Sequence, residues 1–391
     1  MAAVATTAAG LPSCAEMPRH SAATASPRLA HPRARLYESV RTAHLERALQ
    51  LEPASILYRV ERYDFQEDLA RGLDVHRLSP VRAALLLRRS PLDALEVNEP
   101  LMLSGLPGAA LAVFAVRAFR RRRSRPRIVT YAIGNVDPFA GPARSWKNRI
   151  RRRIERMLSR YVWRRIDRVA FGTSAARDVY HQVLPRAAAA ERVIPALPAA
   201  RQVREGVKIP GTVVFLGDFS PRKGFPLLLE AWPLVRAQRP EARLTLIGKG
   251  RLLAEAEAFA ETHPDVSLVV DPPREQIRAL LAESSVLTLP SQPTPTWREQ
   301  VGLPIVEALE AGCSVVTTTE TGLADWLREH DHGVVAGTAG AQELAAAIIG
   351  QIDAGDRSAA VSASLPPRDG RLAADAWMFG AGSPAEGTAN D

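Results

Sequence analysis

The chain has 391 residues, which is long enough for two domains with hydrophobic cores of ordinary size. With 46% hydrophobic and 24% charged residues, its composition is that of a soluble globular protein. Its only cysteines, Cys14 and Cys313, argue against a disulfide framework, leave no Cys/His metal cluster and favour a reducing compartment. The N-terminus lacks the basic region and long apolar core of a secretion signal, so we expect residues 1–35 to form a disordered leader.

Charge is divided unevenly along the chain. Residues 1–209 carry 37 Lys and Arg against 18 Asp and Glu. The remaining residues carry 14 Lys and Arg against 24 Asp and Glu. The basic residues concentrate from Arg117 to Arg127 and from Lys147 to Arg168, where several arginines share one helical surface. Such clusters favour peripheral docking on an anionic bilayer, at on the order of 1 kcal/mol per charge. A solvated basic face is the alternative; we expect no nucleic-acid partner, because no nucleic-acid-binding signature accompanies the runs.

Short apolar runs alternate with helical segments through residues 36–205, which predicts a first domain with a parallel sheet. The predicted strands are residues 55–60, 94–98, 128–132, 168–172 and 192–194, and the predicted helices are residues 82–89, 101–121, 146–163 and 175–183. The stretch from Leu101 to Phe119 comes nearest to a membrane span. It contains Pro107 and Arg117 and offers about 15 clean apolar positions against the ~20 that a span needs, so it predicts a buried helix.

A polar run from Arg201 to Lys208 interrupts this pattern and predicts a linker. Residues 206–355 then form a second domain. Its predicted strands are residues 213–217, 243–247, 266–270, 286–289, 314–318 and 333–336, and its predicted helices are residues 225–236, 252–261, 274–283, 304–311, 323–329 and 341–352. A doubly wound sheet of this kind collects ligands at the carboxyl ends of its strands. From Asp356 the composition turns to Ser, Pro, Gly and Ala, which predicts a flexible tail over residues 356–391.

A turn with two adjacent basic residues follows the first strand of the second domain. It reads Gly217-Asp218-Phe219-Ser220-Pro221-Arg222-Lys223-Gly224. Arg222 and Lys223 are placed to neutralise a diphosphate leaving group, although a basic pair at a surface turn is the alternative. Further along, Pro290-Ser291 ends a strand, and we expect Ser291 either to bond a phosphate or to cap a turn.

The most informative segment holds two glutamates eight residues apart, Glu299-Gln300-Val301-Gly302-Leu303-Pro304-Ile305-Val306-Glu307. The first glutamate lies just ahead of a predicted helix and the second about a turn inside it. Free amides at a helix start attract phosphate oxygens, and carboxylates accept hydrogen bonds from hydroxyls. The layout therefore suits a phosphorylated sugar.

From Trp297 to Gly312 this segment resembles the E-x7-E donor site of the GT-B glycosyltransferases of family 4, which typically reads E-G-F-G-L-P-x-x-E-A. The basic turn is similar to the family's G-R-x-x-x-x-K-G element. The resemblance implies a GT-B fold, with two doubly wound Rossmann-like domains facing a cleft. It also implies transfer of a sugar from a nucleotide diphosphate, with retention at the anomeric carbon. Basic side chains and a helix start can take the place of a metal ion at the diphosphate, so we expect neither metal nor cofactor.

The resemblance further implies roles for individual residues. Glu299 would bond hydroxyls of the transferred sugar and stabilise an oxocarbenium-like centre, and Glu307 would bond the ribose of the nucleotide. The amides of Val301, Gly302 and Leu303 would meet the diphosphate. The rest of the expected donor site consists of Gly217, Arg222, Lys223, Ser291 and Gln300.

The sequence departs from the family's pattern in three places. Asp218 stands where an Arg is usual, so Arg222 must supply the missing charge or the donor must sit differently. Residues 59–66 hold none of the glycines expected after the first strand. Asn135 and Asp137 follow the strand after which related enzymes often carry a His. These two residues and Glu99, at an earlier strand end, are acceptor-side candidates; Glu99 would orient or deprotonate an acceptor hydroxyl, or be a satisfied loop carboxylate.

The sequence thus predicts a retaining, hexosyl-transferring enzyme in the cytoplasm, peripheral on the inner face of the plasma membrane. Its acceptor would be a saccharide or a lipid-linked molecule of cell-envelope or exopolysaccharide synthesis. Two alternatives remain open: a nucleotide-sugar epimerase on the same scaffold, and a non-catalytic GT-B binding protein, which the three departures favour.

Overall fold

The computed structural model describes residues 28–62, 65–118, 125–142, 145–184, 190–201, 208–294 and 297–380. These residues form two α/β domains, each built on one parallel sheet. The prediction of two doubly wound, Rossmann-like domains is therefore confirmed in the described part of the chain. The predicted domain boundary at residues 205 and 206 lies outside it.

The sheet of the first domain has seven strands. They are β1 (Arg33–Val40), β2 (Ser55–Glu61), β3 (Val75–Arg77), β4 (Ala94–Glu96), β5 (Arg127–Ala132), β6 (Arg168–Phe171) and β7 (Ala190–Val193). Their order is β3-β2-β1-β4-β5-β6-β7, so the chain winds outward from β1 in both directions. Every residue of β6 is buried, as expected for a parallel strand covered on both faces.

The helices of the first domain are α1 (Thr42–Ala48), α2 (Glu67–Ala70), α3 (Pro80–Arg89), α4 (Leu106–Ala118), α5 (Trp146–Trp163) and α6 (Ser174–Val183). Side-chain oxygens of Ser145 and Thr173 accept backbone N–H groups at the starts of α5 and α6. In α4, Ala109, Val113 and Val116 are fully buried, so the predicted buried helix is confirmed. Within the described residues no helix combines the length and apolarity needed to cross a bilayer.

The sheet of the second domain has six strands in the order β10-β9-β8-β11-β12-β13. They are β8 (Ile209–Leu216), β9 (Arg243–Gly248), β10 (Val266–Val270), β11 (Ser284–Leu289), β12 (Ser314–Thr318) and β13 (Gly333–Val335). The helices are α7 (Phe225–Gln238), α8 (Leu253–Thr262), α9 (Arg274–Glu283), α10 (Leu303–Glu310), α11 (Ala324–Glu329) and α12 (Ala341–Asp353). The order places β8 and β11 side by side at the switch point, where ligand crevices open in folds of this kind.

The strand β1 begins at Arg33, inside the segment predicted as a leader, and that prediction is wrong from this residue onward. The strand was not predicted because a charged residue, Arg35, lies within it and is only 1% exposed. A buried arginine breaks the apolar pattern by which a central strand is recognised, and its charge is compensated by residues far away in the sequence. The part of the predicted leader before residue 28 lies outside the described residues.

The predicted flexible tail is also wrong over much of its length, because two further helices form there. They are α13 (Ser358–Ser364) and α14 (Gly370–Phe379). Asp369 caps α14 by accepting the backbone N–H groups of Arg371 and Leu372. Ala374, Met378 and Phe379 pack against Val129 and Ala170 of the first sheet, so the chain returns to the first domain after completing the second. Small residues, which suggested disorder, permit this close packing: a Cβ on Gly370 would lie 1.8 Å from the carbonyl oxygen of Pro195.

A buried network of four charged side chains attaches α14 to the first sheet. Arg35 in β1 donates to Asp375 in α14 at 2.8 Å and lies 3.3 Å from Glu96 in β4. Arg371 in α14 donates to Glu96 and lies 3.9 Å from Asp375. Two guanidinium groups and two carboxylates thus compensate one another across three elements. The neighbouring carboxylates outweigh burial and raise the pKa of both arginines.

Candidate functional site

The basic turn leaves the carboxyl end of β8 and packs directly against the end of β11. Pro221–Lys223 form one turn of 3-10 helix, and Gly224 follows with a φ of 70°. A Cβ on Gly224 would lie 1.8 Å from the carbonyl oxygen of Pro290, so only glycine permits both the left-handed backbone and this approach. The result is that Lys223 lies beside the chain that leads into the glutamate segment.

The glutamate segment is held by the loop that follows β12. The carbonyl oxygen of Glu299 accepts the backbone N–H of Gly322 at 3.0 Å, and Thr321 donates its hydroxyl to the carbonyl of Val301 at 3.3 Å. Gly302 then begins α10 with a φ of 79°. These contacts fix the position of Glu299 just before the helix, as the sequence predicts.

Lys223, Ser291 and Glu299 meet in one buried cluster. The Lys223 ammonium donates to Oε2 of Glu299, and the Ser291 hydroxyl donates to the same oxygen at 3.1 Å. Residues separated by 76 positions in the sequence are therefore direct partners. Lys223 is only 9% exposed and Glu299 only 8%, so the ion pair is largely shielded from water and strengthened by the low local dielectric.

Arg222 occupies the outer side of this cluster. Its guanidinium donates to Asp218 at 3.2 Å, so the unusual acidic residue of the basic turn is neutralised by the adjacent arginine. The Arg222 guanidinium also lies over the ring of Trp297 at 4.9 Å, and the Lys223 ammonium lies 5.4 Å from the same ring. Trp297 is a site residue for which the sequence analysis assigned no role. An aromatic residue in a polar loop after a strand end was the available signal.

The first domain reaches this cluster through Asn135. Its side-chain amide donates to the carbonyl oxygen of Glu299 at 2.8 Å, across the two domains. Asn135 is 6% exposed, and its Oδ1 has no hydrogen-bond partner among the described residues. This buried amide oxygen is therefore an unsatisfied hydrogen-bond acceptor beside the cleft.

Glu99 lies in the same region, held by backbone amides rather than by a cation. Its Oε2 accepts the N–H groups of Ile133 and Gly134 at 3.1 and 3.0 Å and the Tyr180 hydroxyl at 3.0 Å. Burial raises the pKa of the Glu99 carboxyl, and the hydrogen bonds oppose that effect. Asp137, by contrast, accepts the backbone N–H of Phe139 at 2.8 Å and stabilises its own loop.

A cavity of about 310 Å³ lies between the domains, beside the cluster of Lys223, Ser291 and Glu299, whose residues are not among its described walls. Its walls include Glu99, Asn135 and Asp137 from the first domain and Trp297 and Gln300 from the second. The structure therefore brings the three acceptor-side candidates and the start of the donor segment around a single cleft. In the described residues, no group of three or more His, Cys, Asp or Glu side chains is arranged to hold a metal ion.

Glu307 and Leu303 face a different cavity. It has a volume of about 330 Å³, lies between α9 and α10, and is also lined by Arg274 and Arg278. Burial raises the pKa of the Glu307 carboxyl, against the effect of Arg274. Glu307 lines this second cavity, Glu299 is not among the described walls of either cavity, and the two sets of walls share no residue.

The second domain is similar in sequence to a known family. Residues 210–353 match the model of the group 1 glycosyl transferases. The amylovoran biosynthesis glycosyltransferase AmsK of Erwinia amylovora is 28% identical over 153 residues, which cover 38% of this chain and 37% of that protein. A phosphatidyl-myo-inositol mannosyltransferase of Propionibacterium freudenreichii subsp. shermanii is 32% identical over 127 residues, which cover 32% of this chain and 30% of that protein. The chain thus matches only about a third of the length of these two relatives.

Solved structures resemble the chain over most of its length. Anabaena Alr3699/HepE in complex with UDP-glucose matches with a TM-score of 0.59 at 17% identity, covering 89% of this chain and 95% of that one. The apo form of the lipopolysaccharide outer core galactosyltransferase WaaB matches with a TM-score of 0.61 at 11% identity, covering 85% and 94%. At sequence identities of 17% and 11%, these similarities show a shared fold alone. The chain therefore has the GT-B fold, and residues 210–353 of its second domain are similar to the group 1 glycosyl transferases.

Proposed function

We propose that this protein is a retaining glycosyltransferase of the family 4 type, which moves a hexosyl group from a nucleotide diphosphate to a saccharide or lipid-linked acceptor. The observation that carries the proposal is the buried Lys223–Glu299–Ser291 cluster at the strand ends of the second domain, contacted by Asn135 of the first. A carboxylate and a cation held together at a cleft between two domains suit a bond cleavage that separates charge.

The donor would lie with its diphosphate near Arg222, Lys223 and the start of α10. Both cations already have carboxylate partners, Asp218 and Glu299, so each is held in place before the donor arrives. An ammonium with three donors can keep Glu299 and still bond a phosphate oxygen. Charge developing on the leaving diphosphate is then stabilised by protein groups alone, which supports transfer without a metal ion.

The acceptor would enter from the first domain. The Oδ1 of Asn135, which has no partner among the described residues, would accept a sugar hydroxyl where related enzymes often carry a His. Glu99, whose pKa burial raises, would orient the acceptor hydroxyl or take its proton. The names of the relatives support cell-envelope or exopolysaccharide synthesis, because AmsK serves amylovoran biosynthesis and WaaB the lipopolysaccharide outer core.

A panel of nucleotide sugars tests this function. Each sugar is screened by thermal shift on the full chain, and the best binder is then incubated with saccharide and lipid-linked acceptors. Transfer with retention supports the proposal. Conversion of the donor to its epimer without an acceptor would identify an epimerase instead, and stabilisation without any turnover would identify a non-catalytic binding protein.

We expect Lys223→Ala to weaken donor binding by about 10- to 100-fold, because it removes a charged hydrogen bond to the diphosphate. The measurement is calorimetric titration with the best donor of the panel. Arg328→Ala is the matched control, since Arg328 forms an exposed ion pair with Asp325 in the same domain. Equal donor affinity in wild type and Lys223→Ala would refute the assignment.

We further propose that the enzyme works in the cytoplasm, docked on the inner face of the plasma membrane through α5. This helix presents an exposed apolar stripe, in which Trp146 is 60%, Ile150 50% and Ile154 47% exposed. Arginines flank the stripe, the arrangement of a helix that lies in a lipid interface. Much of the other predicted basic run lies outside the described residues, which omit residues 119–124.

Sedimentation with vesicles tests the docking. Wild type should pellet with vesicles that contain anionic lipid, less so at high salt, whereas the double variant Trp146→Ser with Ile150→Ser should bind at least about tenfold more weakly. Val81→Ser with Leu85→Ser on α3, which also removes two exposed apolar side chains, is the control. If wild type stays in the supernatant with anionic vesicles, the docking proposal fails.

A further inference from the structure

Seven arginines line one groove beside α5. The groove has a volume of about 910 Å³, and among its described lining residues there is no Asp or Glu. Met157 and Tyr161 add apolar surface to the same walls. A concave site with this excess of positive charge is complementary to a ligand that carries several negative charges.

The arginines are arranged as a row. Arg149, Arg153, Arg156 and Arg160 follow one another at helical spacing on one side of α5 and span about 16 Å along its axis. Arg156 lies over the ring of Phe139 at 5.1 Å and Arg165 over that of Tyr161 at 3.8 Å. Cations repeated along one side of a helix fit an extended chain with regularly spaced anions, rather than one compact anion.

The groove adjoins the interdomain cleft. Arg152 lines both cavities, and its guanidinium donates to the carbonyl oxygen of Gly141 at 2.6 Å, which holds it at the junction. A ligand seated in the groove therefore has its end beside the cleft that contains Glu99 and Asn135.

We propose that the groove binds the acceptor and that the acceptor is an acidic saccharide, a chain bearing carboxylate or phosphate groups whose terminal hydroxyl reaches Glu99. The proposal rests on the function proposed above and names its acceptor class. A bilayer is a poorer occupant, because a flat surface meets the exposed stripe of Trp146, Ile150 and Ile154, on a neighbouring side of α5, more readily than a concave groove.

Calorimetric titration of the full chain tests the proposal at low salt. The probes are tetragalacturonate, its uncharged methyl ester and inorganic tripolyphosphate. We compare wild type with a groove variant, Arg153→Gln with Arg156→Gln and Arg160→Gln. The control loses the same charge outside the groove, through Lys147→Gln, Arg151→Gln and Arg177→Gln.

The groove variant should bind the anionic probe at least about 30-fold more weakly, whereas the control should stay within threefold of wild type and the methyl ester should not bind. If tetragalacturonate binds, the acceptor's negative groups are carboxylates. If only tripolyphosphate binds, they are phosphates. Failure of both anions to bind wild type, or equal weakening in both variants, overturns the proposal.

Turnover separates this inference from the function on which it rests. With an acidic acceptor, the groove variant should show a raised acceptor KM, with kcat and the donor KM unchanged. Efficient transfer to a neutral acceptor, unaffected in the groove variant, would refute the acidic acceptor and leave the glycosyltransferase intact. Absence of any transfer by wild type, with groove-dependent anion binding preserved, would instead refute the proposed function.

Discussion

Glu299→Gln should reduce glycosyl transfer by at least about 10³-fold. Glutamine keeps the size of the side chain and its bond to Lys223, but it removes the negative charge next to the reacting sugar. The Lys223 ammonium would then face a positive, oxocarbenium-like centre with no carboxylate between them. Because the site is shielded from water, the loss of that charge strongly raises the free energy of the transition state. We expect Glu299→Ala to abolish transfer for the same reason.

The assay compares initial rates at saturating donor and acceptor, with folding verified by circular dichroism and thermal unfolding. Glu310→Gln is the matched control, because Glu310 lies on α10 and pairs with Arg201 at 2.8 Å. Its transfer rate should remain within a few-fold of wild type. Transfer at the wild-type rate by a folded Glu299→Gln protein would remove Glu299 from the chemistry.

Asp375→Ala should destabilise the first domain by about 3–5 kcal/mol. Asp375 is 2% exposed and is the closest partner of Arg35, at 2.8 Å. Without it, two buried guanidinium groups share the single carboxylate of Glu96, which leaves one positive charge uncompensated in a medium of low dielectric. The same change should loosen α14, since that carboxylate is one of its attachments to β1.

Urea unfolding followed by tryptophan fluorescence measures the destabilisation, and limited proteolysis after α13 reports on release of α14. Asp178→Ala serves as control: this first-domain carboxylate has an exposed side chain and pairs with the neighbouring Arg177, so its loss should cost less than about 1 kcal/mol. A loss of under 1 kcal/mol in Asp375→Ala would mean that the network contributes little to holding the C-terminal helix.

The sequence by itself determined the alternation of strands and helices in both domains, and hence the fold class. That information is local, because a buried parallel strand is an apolar run and a surface helix has a period near 3.6 residues. It also predicted the residues of a donor side: the basic turn, Ser291 and the Glu299 to Glu307 segment are each recognisable from a dozen residues of context.

Only the tertiary structure decided which of these groups meet. The contacts of Lys223 with Glu299 and of Asn135 with the Glu299 backbone join residues 76 and 164 positions apart. Glu307, in contrast, lies only eight residues from Glu299 but lines a cavity whose described walls do not include Glu299. Parallel sheets pair strands through long crossovers, so neighbours in space are set by strand order, which no local pattern encodes.

The same physics explains the predictions that were wrong. Arg35 looks unsuited to a central strand, and the residues around Gly370 look disordered, when each is considered with its sequence neighbours alone. Each is stabilised by the other's segment, through the ion pair between Arg35 and Asp375, 340 residues apart. A buried charge becomes acceptable only when its counter-charge is brought to it, and that happens in the folded chain.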